Sequence, residues 1–212
     1  MANGIFRRRS SEGFDFARID THDQPIHIPM KPEIRLAEPI DTEAVLRINR
    51  KAFGGDQGIE VADLVAGLLV DPTAEPRLSL LAMVDGQAVG HVFFTHMELP
   101  EAESPTPATL LAPLAVVPEF QSRGIGAALI ADGLSRLKDS GIHLVFVLGH
   151  PRYYPRCGFQ RACPLGFHAL YQEPGTPNDA WMVHELVPGA LGSASGGIKC
   201  ADVLDQLRHW RE

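Results

Sequence analysis

The stretch from Val116 to Ile130, VVPEFQSRGIGAALI, limits the folds open to this chain more than any other. A branched apolar run stops at Pro118, Gly124 and Gly126 follow within QSRGIG, and a helix-forming sequence begins at once. The apolar run after that helix, IHLVFVLG, predicts a strand buried on both faces. Strand, helix and strand in this order predict a right-handed parallel crossover, with residues 121–126 at the mouth of the helix.

Patterns on either side of this stretch predict the remaining elements. EIRLAEP indicates a first strand, and Asp41 is the candidate N-cap of the helix TEAVLRINRKAF that follows. Glu60 to Val70 carries apolar residues at helical spacing and predicts a second helix. The runs RLSLLAMV and AVGHVFFTHMEL flank Asp85-Gly86, a strong hairpin signal, and so predict an antiparallel pair. TLLAPLAVV predicts a strand in which Pro113 causes a missing ladder bond or a bulge.

Domain boundaries follow from where these patterns begin and end. Residues 1–32 are polar and interrupted by prolines, and they predict an N-terminal extension. The compact domain is predicted over residues 33–188, with DAWMVHELV as its late strand. Residues 189–212 predict a C-terminal linker, in which GSASGG is flexible, followed by a short helix. The helix after the glycine loop is predicted to bury one stripe, formed by Ala127, Ile130, Leu134 and Leu137.

Composition excludes several classes of function. The formal net charge of -7 disfavours broad contact with nucleic acid, which needs a surplus of lysine and arginine. No apolar stretch approaches the roughly 20 residues that cross a bilayer, and no apolar export core follows FRRRSSEGF, so a membrane location is not expected. Cys157, Cys163 and Cys200 form an odd set without a paired C-x-x-C. We therefore expect neither disulfides nor a metal site, and a cytoplasmic protein.

The glycine loop is suited to binding an anion. Gly124 and Gly126 let a ligand approach the backbone, and the first amides of the following helix are unsatisfied donors at its positive end. That geometry suits a pyrophosphate, although a tight turn without a ligand is the alternative. A P-loop would need Lys and then Ser or Thr where Ala127 and Ala128 stand. A dinucleotide-binding fingerprint would need a small residue in place of Leu129 and an acidic residue about twenty positions later, so both are disfavoured.

The residues from Gln121 to Gly126 match the Q/R-x-x-G-x-G/A loop of the GNAT N-acetyltransferase superfamily at every defined position. LAPLAVVPEF precedes the loop as that superfamily's splayed strand does, and YYPRCGF follows the next strand as does its Tyr-x-x-x-Gly-Phe element. The chain resembles this superfamily over roughly Glu33 to Val187, and VLGHPRYYPRCGF is most similar to a bacterial subgroup of largely unassigned substrate. The resemblance implies an α+β fold with a central mixed, mostly antiparallel sheet, one splayed parallel strand pair and helices on both faces.

The resemblance also implies where acetyl-CoA binds. In the superfamily the cofactor lies across the opening between the two parted strands, and no metal takes part. The pantetheine arm would pair with the backbone of Leu114, Ala115, Val116 and Val117. The pyrophosphate would rest on the amides of Gln121, Ser122, Arg123, Gly124, Ile125, Gly126 and Ala127.

Acetyl transfer needs a neutral amine, a donor to the thioester carbonyl and an acid for the departing thiolate. Tyr154, four residues before Gly158 as in the superfamily motif, is the expected acid, although packing of its ring is an alternative role. The neighbouring Tyr153 is the residue most easily mistaken for it. The backbone amide of Val116 or Val117 is the expected donor to the carbonyl oxygen.

The base that deprotonates the amine is less well defined by the sequence. Alternation along their strand places His96 and Glu98 on one face, and His150 lies at the end of the second parallel strand. Structural hydrogen bonding is the alternative role for each. Many superfamily members carry an Asn at the end of this strand, where the present chain has Gly149-His150-Pro151, so that contact to CoA cannot be transferred.

The function predicted from the sequence is acetyl-CoA-dependent N-acetylation of a primary amine by direct attack within a ternary complex. The acceptor is expected to be a small molecule or a peptide, bound by the first two helices, the loop over residues 100–108 and PLGFHALYQEPGTPND. Four acidic residues of these segments could attract a cationic amine: Glu101, Glu103, Glu173 and Asp179. The alternatives are transfer of a different acyl group, transfer to a protein amine, and a CoA-binding regulatory module without turnover. A homodimer is compatible with the sequence.

Overall fold

A mixed sheet forms the centre of the molecule. The structure is a computed structural model that describes residues 32–102, 105–172 and 176–210. The strands are β1 (Glu33–Leu36), β2 (Leu78–Val84), β3 (Gln87–Glu98), β4 (Ala108–Val116), β5 (Leu144–Leu148), β6 (Gln160–Arg161), β7 (Phe167–His168), β8 (Trp181–Glu185), β9 (Gly196–Gly197) and β10 (Lys199–Cys200). The helices are α1 (Thr42–Phe53), α2 (Gly55–Leu68) and α3 (Ile125–Asp139).

The strand order of the main sheet is β1-β2-β3-β4-β5-β8-β6, and β10 pairs with β3 outside this path. Its pairs are antiparallel except for β4 and β5, which are neighbours in the sheet and run parallel. In the sequence, α3 lies between these two strands. A second, small sheet joins β7 and β9. The predicted fold class, with one parallel pair in a mostly antiparallel sheet, is therefore confirmed.

The hairpin between β2 and β3 forms where the sequence predicts it. Asp85 and Gly86 have φ angles of 50° and 75°, the left-handed values that a two-residue type I′ turn requires at both positions. Aspartate tolerates that region better than most residues and glycine adopts it freely, so the pair fixes the turn and with it the register of the two strands.

Two helix predictions need correction. Asp41 does precede α1, but its carboxylate does not cap that helix; it accepts two hydrogen bonds from the Arg35 guanidinium, at 2.6 and 2.8 Å, which lower the pKa of Asp41 to about 2. α2 begins at Gly55, five residues before the predicted start. Its first turns contain glycine because the helix crosses α1 closely: a Cβ on Gly58 would overlap the carbonyl oxygen of Arg50.

The buried face of α3 also differs from the predicted stripe. Ala127 is exposed, whereas Ile125, Leu129, Ile130 and Leu137 are buried. Glycines take part in this face because neighbouring aromatic side chains come close to the helix axis; a Cβ on Gly133, for example, would overlap the ring of Phe94 on β3. A pattern of large apolar residues does not detect such contacts. The predicted end of the helix is confirmed, with Gly141 at φ 83°.

The C-terminal residues pack against the sheet rather than forming a flexible link. Residues of the predicted linker form β9 and β10, and Ile198, Cys200 and Leu204 are buried in the core. Asp71 holds this segment in place, because its Oδ2 accepts a hydrogen bond of 3.0 Å from the Val203 amide. The N-terminal extension predicted over residues 1–32 lies outside the described residues, except for residue 32.

β5 is buried on both faces, as predicted. Val145 and Val147 pack into the cluster that includes α3, whereas Leu144 and Phe146 pack into the cluster that includes the C-terminal segment. The strand therefore lies between two apolar layers, one that includes α3 and one that includes the C-terminal segment. No described helix combines the length and the hydropathy that a membrane span needs.

His91 on β3 is fully buried and hydrogen bonded on both ring nitrogens. Asn49 Nδ2 lies 3.0 Å from Nδ1, and Ser79 Oγ lies 3.0 Å from Nε2. Asn49 Nδ2 can only donate, so Nδ1 of His91 accepts and the proton on Nε2 is directed to Ser79 Oγ. Burial lowers the pKa of His91 to about 3, so the ring is neutral at physiological pH.

This burial predicts a loss of stability in acid. Below pH 6.5 the unfolded chain binds a proton at His91 that the folded chain excludes until about pH 3, so the free energy of unfolding falls as the pH falls through this window. The loss is about 1.4 kcal/mol for each pH unit within the window. Urea unfolding of the wild-type and His91→Gln proteins between pH 7 and pH 4 measures it. The variant should show a smaller slope, His168→Gln, an exposed histidine, should keep the wild-type slope, and equal slopes in all three would contradict the prediction.

Candidate active site

The two parallel strands separate in the middle of the sheet. β4 pairs with β3 from Ala108 to Val116, but its pairing with β5 covers only Ala108–Leu111 opposite Leu144–Val147. β5 ends at Leu148, whereas β4 continues. The second half of β4 therefore has one edge without a strand partner.

Pro113 lies at the point where the strands part. The register on β3 changes there, since Val92 is opposite Leu114 but Phe94 is opposite Leu111. Two residues of β4, Ala112 and Pro113, thus face one residue of β3, which is a β-bulge. This confirms the expectation of a bulge at this proline, which has no N–H to give to the ladder.

Hydrogen bonding decides which backbone groups of β4 face the opening. The Val117 amide donates to Val89 O at 2.9 Å, and antiparallel pairing alternates, so Ala115 also faces β3 while Leu114 and Val116 face away from it. The carbonyl of Val116 accepts a hydrogen bond of 2.9 Å from Gln121 Nε2. The Val117 amide, one of the two predicted donors to a carbonyl oxygen, is therefore already engaged with β3.

The glycine loop leaves a run of amides without partners at the start of α3. Ser122 and Gly124 have φ angles of 59° and 81°, and the first helical hydrogen bond is from Ala128 N to Gly124 O at 3.0 Å. Within the described part of the chain, the amides of residues 122–127 donate to no protein group, while the Gln121 amide donates to Pro118 O. These free donors and the helix dipole together form a site for an anion.

A cation also lies at this loop. The Arg123 guanidinium carbon sits 5.2 Å from the centre of the Phe120 ring, in a cation–π contact. The contact orients an otherwise exposed side chain and keeps its positive charge beside the free amides. Arg123 thus adds to the positive potential of the loop.

A cavity of about 1270 Å³ opens beside the parted strands. Its walls come from α2, from the bulge of β4, from the end of β5, from the two adjacent tyrosines, and from segments near the C-terminus. Of the predicted cofactor-binding and catalytic residues, three line it: Leu114, His150 and Tyr154. The cavity therefore joins the open strand edge to the expected acid.

Tyr154 is almost completely buried but borders this cavity. Its ring packs edge-to-face against Tyr153, with centroids 5.2 Å apart, and against Phe159, with centroids 5.6 Å apart. It also covers Gly149, where a Cβ would overlap the ring. No described residue forms a hydrogen bond with its hydroxyl. Burial raises the pKa of Tyr154, so the phenol keeps its proton at neutral pH.

Tyr153 is half-buried and lies on the same cavity. Its hydroxyl rests against the first turn of α3, so closely that a Cβ on Gly126 would overlap it. Burial, and then the nearby Cys157, raise the pKa of Tyr153. Glycine at position 126 therefore leaves room for the Tyr153 hydroxyl, whether or not a ligand also approaches the backbone there.

His96 and Glu98 do not lie on this cavity. They pair with each other at 3.5 Å, as their shared face predicts, and Glu98 also contacts Lys199 Nζ at 3.5 Å. Both line a separate cavity of about 290 Å³ at the edge where β10 joins β3. The structure thus separates these two candidate bases from Tyr154. His150 stays beside it, with Nδ1 accepting a hydrogen bond of 3.2 Å from the Arg152 amide.

Acidic residues are placed differently from the prediction. Glu101 is directed at the C-terminal segment, where it accepts a hydrogen bond of 3.0 Å from the Gly197 amide, and it does not line the cavity. Asp179 does line it but forms an ion pair with Arg161 at 3.1 Å. Glu103 and Glu173 lie outside the described residues. Among the described residues, no group of three His, Cys, Asp or Glu side chains could hold a metal ion.

The position of the C-terminal turn on the cavity was not predicted from the sequence. His209 and Trp210 lie in a short 3-10 helix, Leu207–Trp210, and both face the space that Tyr154 borders. Trp210 donates from Nε1 to Leu204 O at 2.8 Å and packs on Trp181 with ring centroids 5.8 Å apart. The available signal was a tryptophan among charged and polar residues at the end of the chain, RHWRE.

Comparisons with known proteins agree on one family. A family model described as an acetyltransferase (GNAT) domain matches residues 33–162. The chain is 41% identical to the uncharacterized N-acetyltransferase YjhQ of Escherichia coli K12, over 79% of this chain and 91% of that protein. It is 32% identical to the uncharacterized N-acetyltransferase YhbS of the same strain, over 78% of this chain and 94% of that protein.

Solved structures show the same similarity. The crystal structure of YhbS from Escherichia coli in complex with CoA superposes with a TM-score of 0.73 at 29% identity, covering 84% of this chain and 93% of that one. A GNAT family acetyltransferase from Brucella melitensis, in complex with acetyl-CoA, has the same fold with a TM-score of 0.64 at 24% identity, covering 83% of this chain and 99% of that one.

The contact between Gly126 and Tyr153 can be tested by a double-mutant cycle. Gly126→Ala should destabilise the protein by about 1 kcal/mol, because the new methyl group meets the Tyr153 hydroxyl. In the Tyr153→Phe background the same change should be neutral or stabilising, because alanine favours the helix over glycine by up to about 1 kcal/mol. Free energies of unfolding in urea measure the coupling. Equal effects of the alanine in both backgrounds would show that the contact does not exist.

Proposed function

The chain belongs to the GNAT acetyltransferase family, and from this premise we propose that it transfers the acetyl group of acetyl-CoA to a primary amine by direct attack within a ternary complex. Membership of this family makes it an acyltransferase. The observation that most supports the proposal is the position of three features around one opening: the unpaired edge of β4, the free amides at the start of α3, and the buried Tyr154.

The residues of this opening fit coenzyme A. The amides of residues 122–127 and the Arg123 side chain would hold the pyrophosphate, whose charge suits the positive end of α3. Leu114 and Val116 would pair with the amide groups of the pantetheine arm, as an added strand does at a sheet edge. The backbone groups of Ala115 and Val117 face β3 and their side chains are buried in the core, so these two residues would support the strand and would not contact the cofactor directly. The relative YhbS, which shares the fold, was crystallised with CoA.

The amide of Leu114 is the better placed donor to the thioester carbonyl. It faces the opening, and Leu114 lines the cavity that Tyr154 borders, whereas Val116 lies two residues further along the strand and does not line that cavity. We therefore assign the oxyanion contact to Leu114 and a pantetheine contact to Val116. A fixed backbone donor of this kind stabilises the charge that develops on the oxygen during attack.

Tyr154 would protonate the leaving group. The bond from the acetyl carbon to sulfur breaks as the new bond to nitrogen forms, and the sulfur departs as a thiolate that needs a proton. A phenol kept neutral by burial, with a hydroxyl that no described residue engages, can supply that proton. Tyr154 recovers it from the amine nitrogen, which loses a proton when the amide forms.

Removal of the Tyr154 hydroxyl tests this role. Tyr154→Phe should lower kcat by about 10²-fold while leaving the Kd for acetyl-CoA within about twofold, because the hydroxyl acts on the departing thiolate. Steady-state thiol release and calorimetry give the two numbers. Tyr153→Phe is the matched comparison, with a second tyrosine on the same cavity. A larger loss of kcat in that variant would transfer the role to Tyr153.

A charge at the start of α3 tests the anion site separately from folding. Ala127 is exposed, so Ala127→Glu should leave the free energy of unfolding unchanged or raise it by about 0.3–1 kcal/mol through the helix dipole. The same carboxylate should weaken binding of CoA by about 10-fold or more, because it competes with the pyrophosphate for the free amides. Ala131→Glu, an exposed position one turn later, is the control and should bind as the wild type does in calorimetry. Wild-type affinity in Ala127→Glu would reject the anion site.

Screening for the acceptor separates the alternatives. Thiol release from acetyl-CoA should accompany at least one member of a panel of polyamines, amino acids, aminoglycosides and peptide N-termini, with the acetylated product confirmed by mass. Acetylation of lysine in protein substrates only would favour the alternative of a protein acyltransferase. CoA binding without turnover on any member would favour a module that binds CoA without catalysis.

A further inference from the structure

One side of α2 forms part of the cavity wall. Gln57, Val61 and Leu64 line the cavity, and their i, i+4 and i+7 spacing places them along one side of the helix. Phe53, the last residue of α1, lines it as well. Apart from Gln57, these side chains are hydrocarbon, so this wall contacts a ligand mainly through apolar groups.

Leu170 and Trp210 extend the apolar wall from beyond residue 162, where the match to the GNAT family model ends. Both are only partly buried, so each keeps accessible apolar surface. The Trp210 indole has already given its one N–H to Leu204 O, and it therefore offers the cavity its ring rather than a hydrogen bond. The walls formed by α2 and by these two residues thus share one chemical character.

Three polar side chains on the cavity are already hydrogen bonded within the protein. Gln172 Oε1 accepts from a backbone amide at 3.2 Å, and its Nε2 donates to a backbone carbonyl at 2.6 Å. Asn178 Oδ1 accepts from two backbone amides, at 3.0 and 3.1 Å. The Tyr171 hydroxyl donates to Asp205 Oδ1 at 2.7 Å. A ligand that took over these groups would break hydrogen bonds that hold the surrounding loop, so they contribute little to its binding.

Negative charge is scarce on this cavity. Asp179 is the one acidic residue among the described residues that line it, and its carboxylate pairs with Arg161 at 3.1 Å. The acidic residues of α2, Asp56, Glu60 and Asp63, are exposed and do not line it. A second ammonium group on a ligand would therefore leave water without gaining a free carboxylate, and burial of an unpaired charge is unfavourable.

Resting on the proposed function, we propose that the acceptor is a monoamine with an uncharged, apolar body. The body would lie against α2 and Trp210, and the amino group would reach the acetyl group at the open edge of β4. The ammonium group gives one proton to solvent, and the neutral nitrogen forms the C–N bond as the C–S bond breaks. A second proton from this nitrogen replaces the one that Tyr154 gives to the thiolate.

Hexylamine and 1,5-diaminopentane test this inference because they are matched in size. Both carry a primary ammonium group on an unbranched chain with the same number of non-hydrogen atoms, and they differ in whether the far end is a methyl or a second ammonium group. The wild-type kcat/KM for hexylamine should be at least about 10-fold above that for 1,5-diaminopentane, because the apolar wall stabilises the methyl end and offers the ammonium end no partner. Thiol release from acetyl-CoA, with the product confirmed by mass, measures both.

A carboxylate placed on the wall should change this preference. Val61→Glu gives the second ammonium group a partner, so the ratio of kcat/KM for hexylamine to that for 1,5-diaminopentane should fall by about 10-fold, while the Kd for acetyl-CoA stays within about threefold. Gln57→Glu places the same charge at an exposed position on the cavity with almost no change of shape, and it should lower the ratio by about threefold even if Val61→Glu does not fold. Ile59→Glu, at an exposed position of α2 that does not line the cavity, is the matched control and should keep the wild-type ratio.

Three results would overturn this inference: an equal or higher wild-type kcat/KM for 1,5-diaminopentane, a ratio that neither Val61→Glu nor Gln57→Glu lowers, and a ratio that Ile59→Glu lowers as much as they do. Turnover confined to the polyamines, amino acids, aminoglycosides or peptides of the acceptor panel would also overturn it, but would leave the proposed function standing. Absence of turnover with every amine tested, in a protein that binds acetyl-CoA, would overturn the proposed function and this inference together.

Discussion

The proposed activity depends on the unpaired edge of β4. One edge of the strand is paired with β3 along its whole length, while the other is paired with β5 at only four register positions. A buried peptide group without a partner costs roughly 1–3 kcal/mol, so an open edge at the centre of a sheet is stable only where water or a ligand reaches it. A ligand that carries its own amide groups along an extended chain is the natural partner for such an edge.

The rest of the fold maintains this opening. Pro113 and the bulge turn β4 where it leaves β5, and α3 places its free amides beside the separated end. On the other face of the sheet, the rings of Phe167, Phe146, Trp181 and Trp210 contact one another in sequence, with centroids 5.1, 5.2 and 5.8 Å apart. Through this row of aromatic rings, the C-terminal turn that borders the cavity packs against the core.

Local patterns in the sequence predicted most of the fold. The Asp85-Gly86 turn, the buried β5 and the bulge at Pro113 all depend on residues close in the chain, whose backbone preferences are strong. The errors arose where a distant contact overrides those preferences. Gly55 and Gly58 at the start of α2 suggest a loop, but Gly58 is the residue that allows the helix to cross α1 closely. GSASGG suggests a linker, although its segment is held by Asp71 and Glu101.

For the candidate site, too, local patterns in the sequence were informative and contacts between distant residues were not. Spacing in the sequence identifies the loop of residues 121–127 and Tyr154. In the structure the amides of residues 122–127 have no described partner and Tyr154 lines the cavity, while the roles of both in binding and catalysis stay predictions. Alternation along β3 correctly paired His96 with Glu98, but it could not reveal that β10 covers that end of the sheet and gives the two residues a cavity of their own. The C-terminal turn reaches the cavity only through contacts with residues far away in sequence, and no periodicity encodes those.

The cavity is built from two stretches of the chain with different tasks. Residues up to 162 supply the strand edge, the glycine loop and the tyrosines, whereas much of the facing wall comes from residues 170–172, 176–180 and 209–210. Under the proposed function, substitutions within the second stretch would change the shape of the acceptor side of the cavity and leave in place the residues proposed to hold acetyl-CoA.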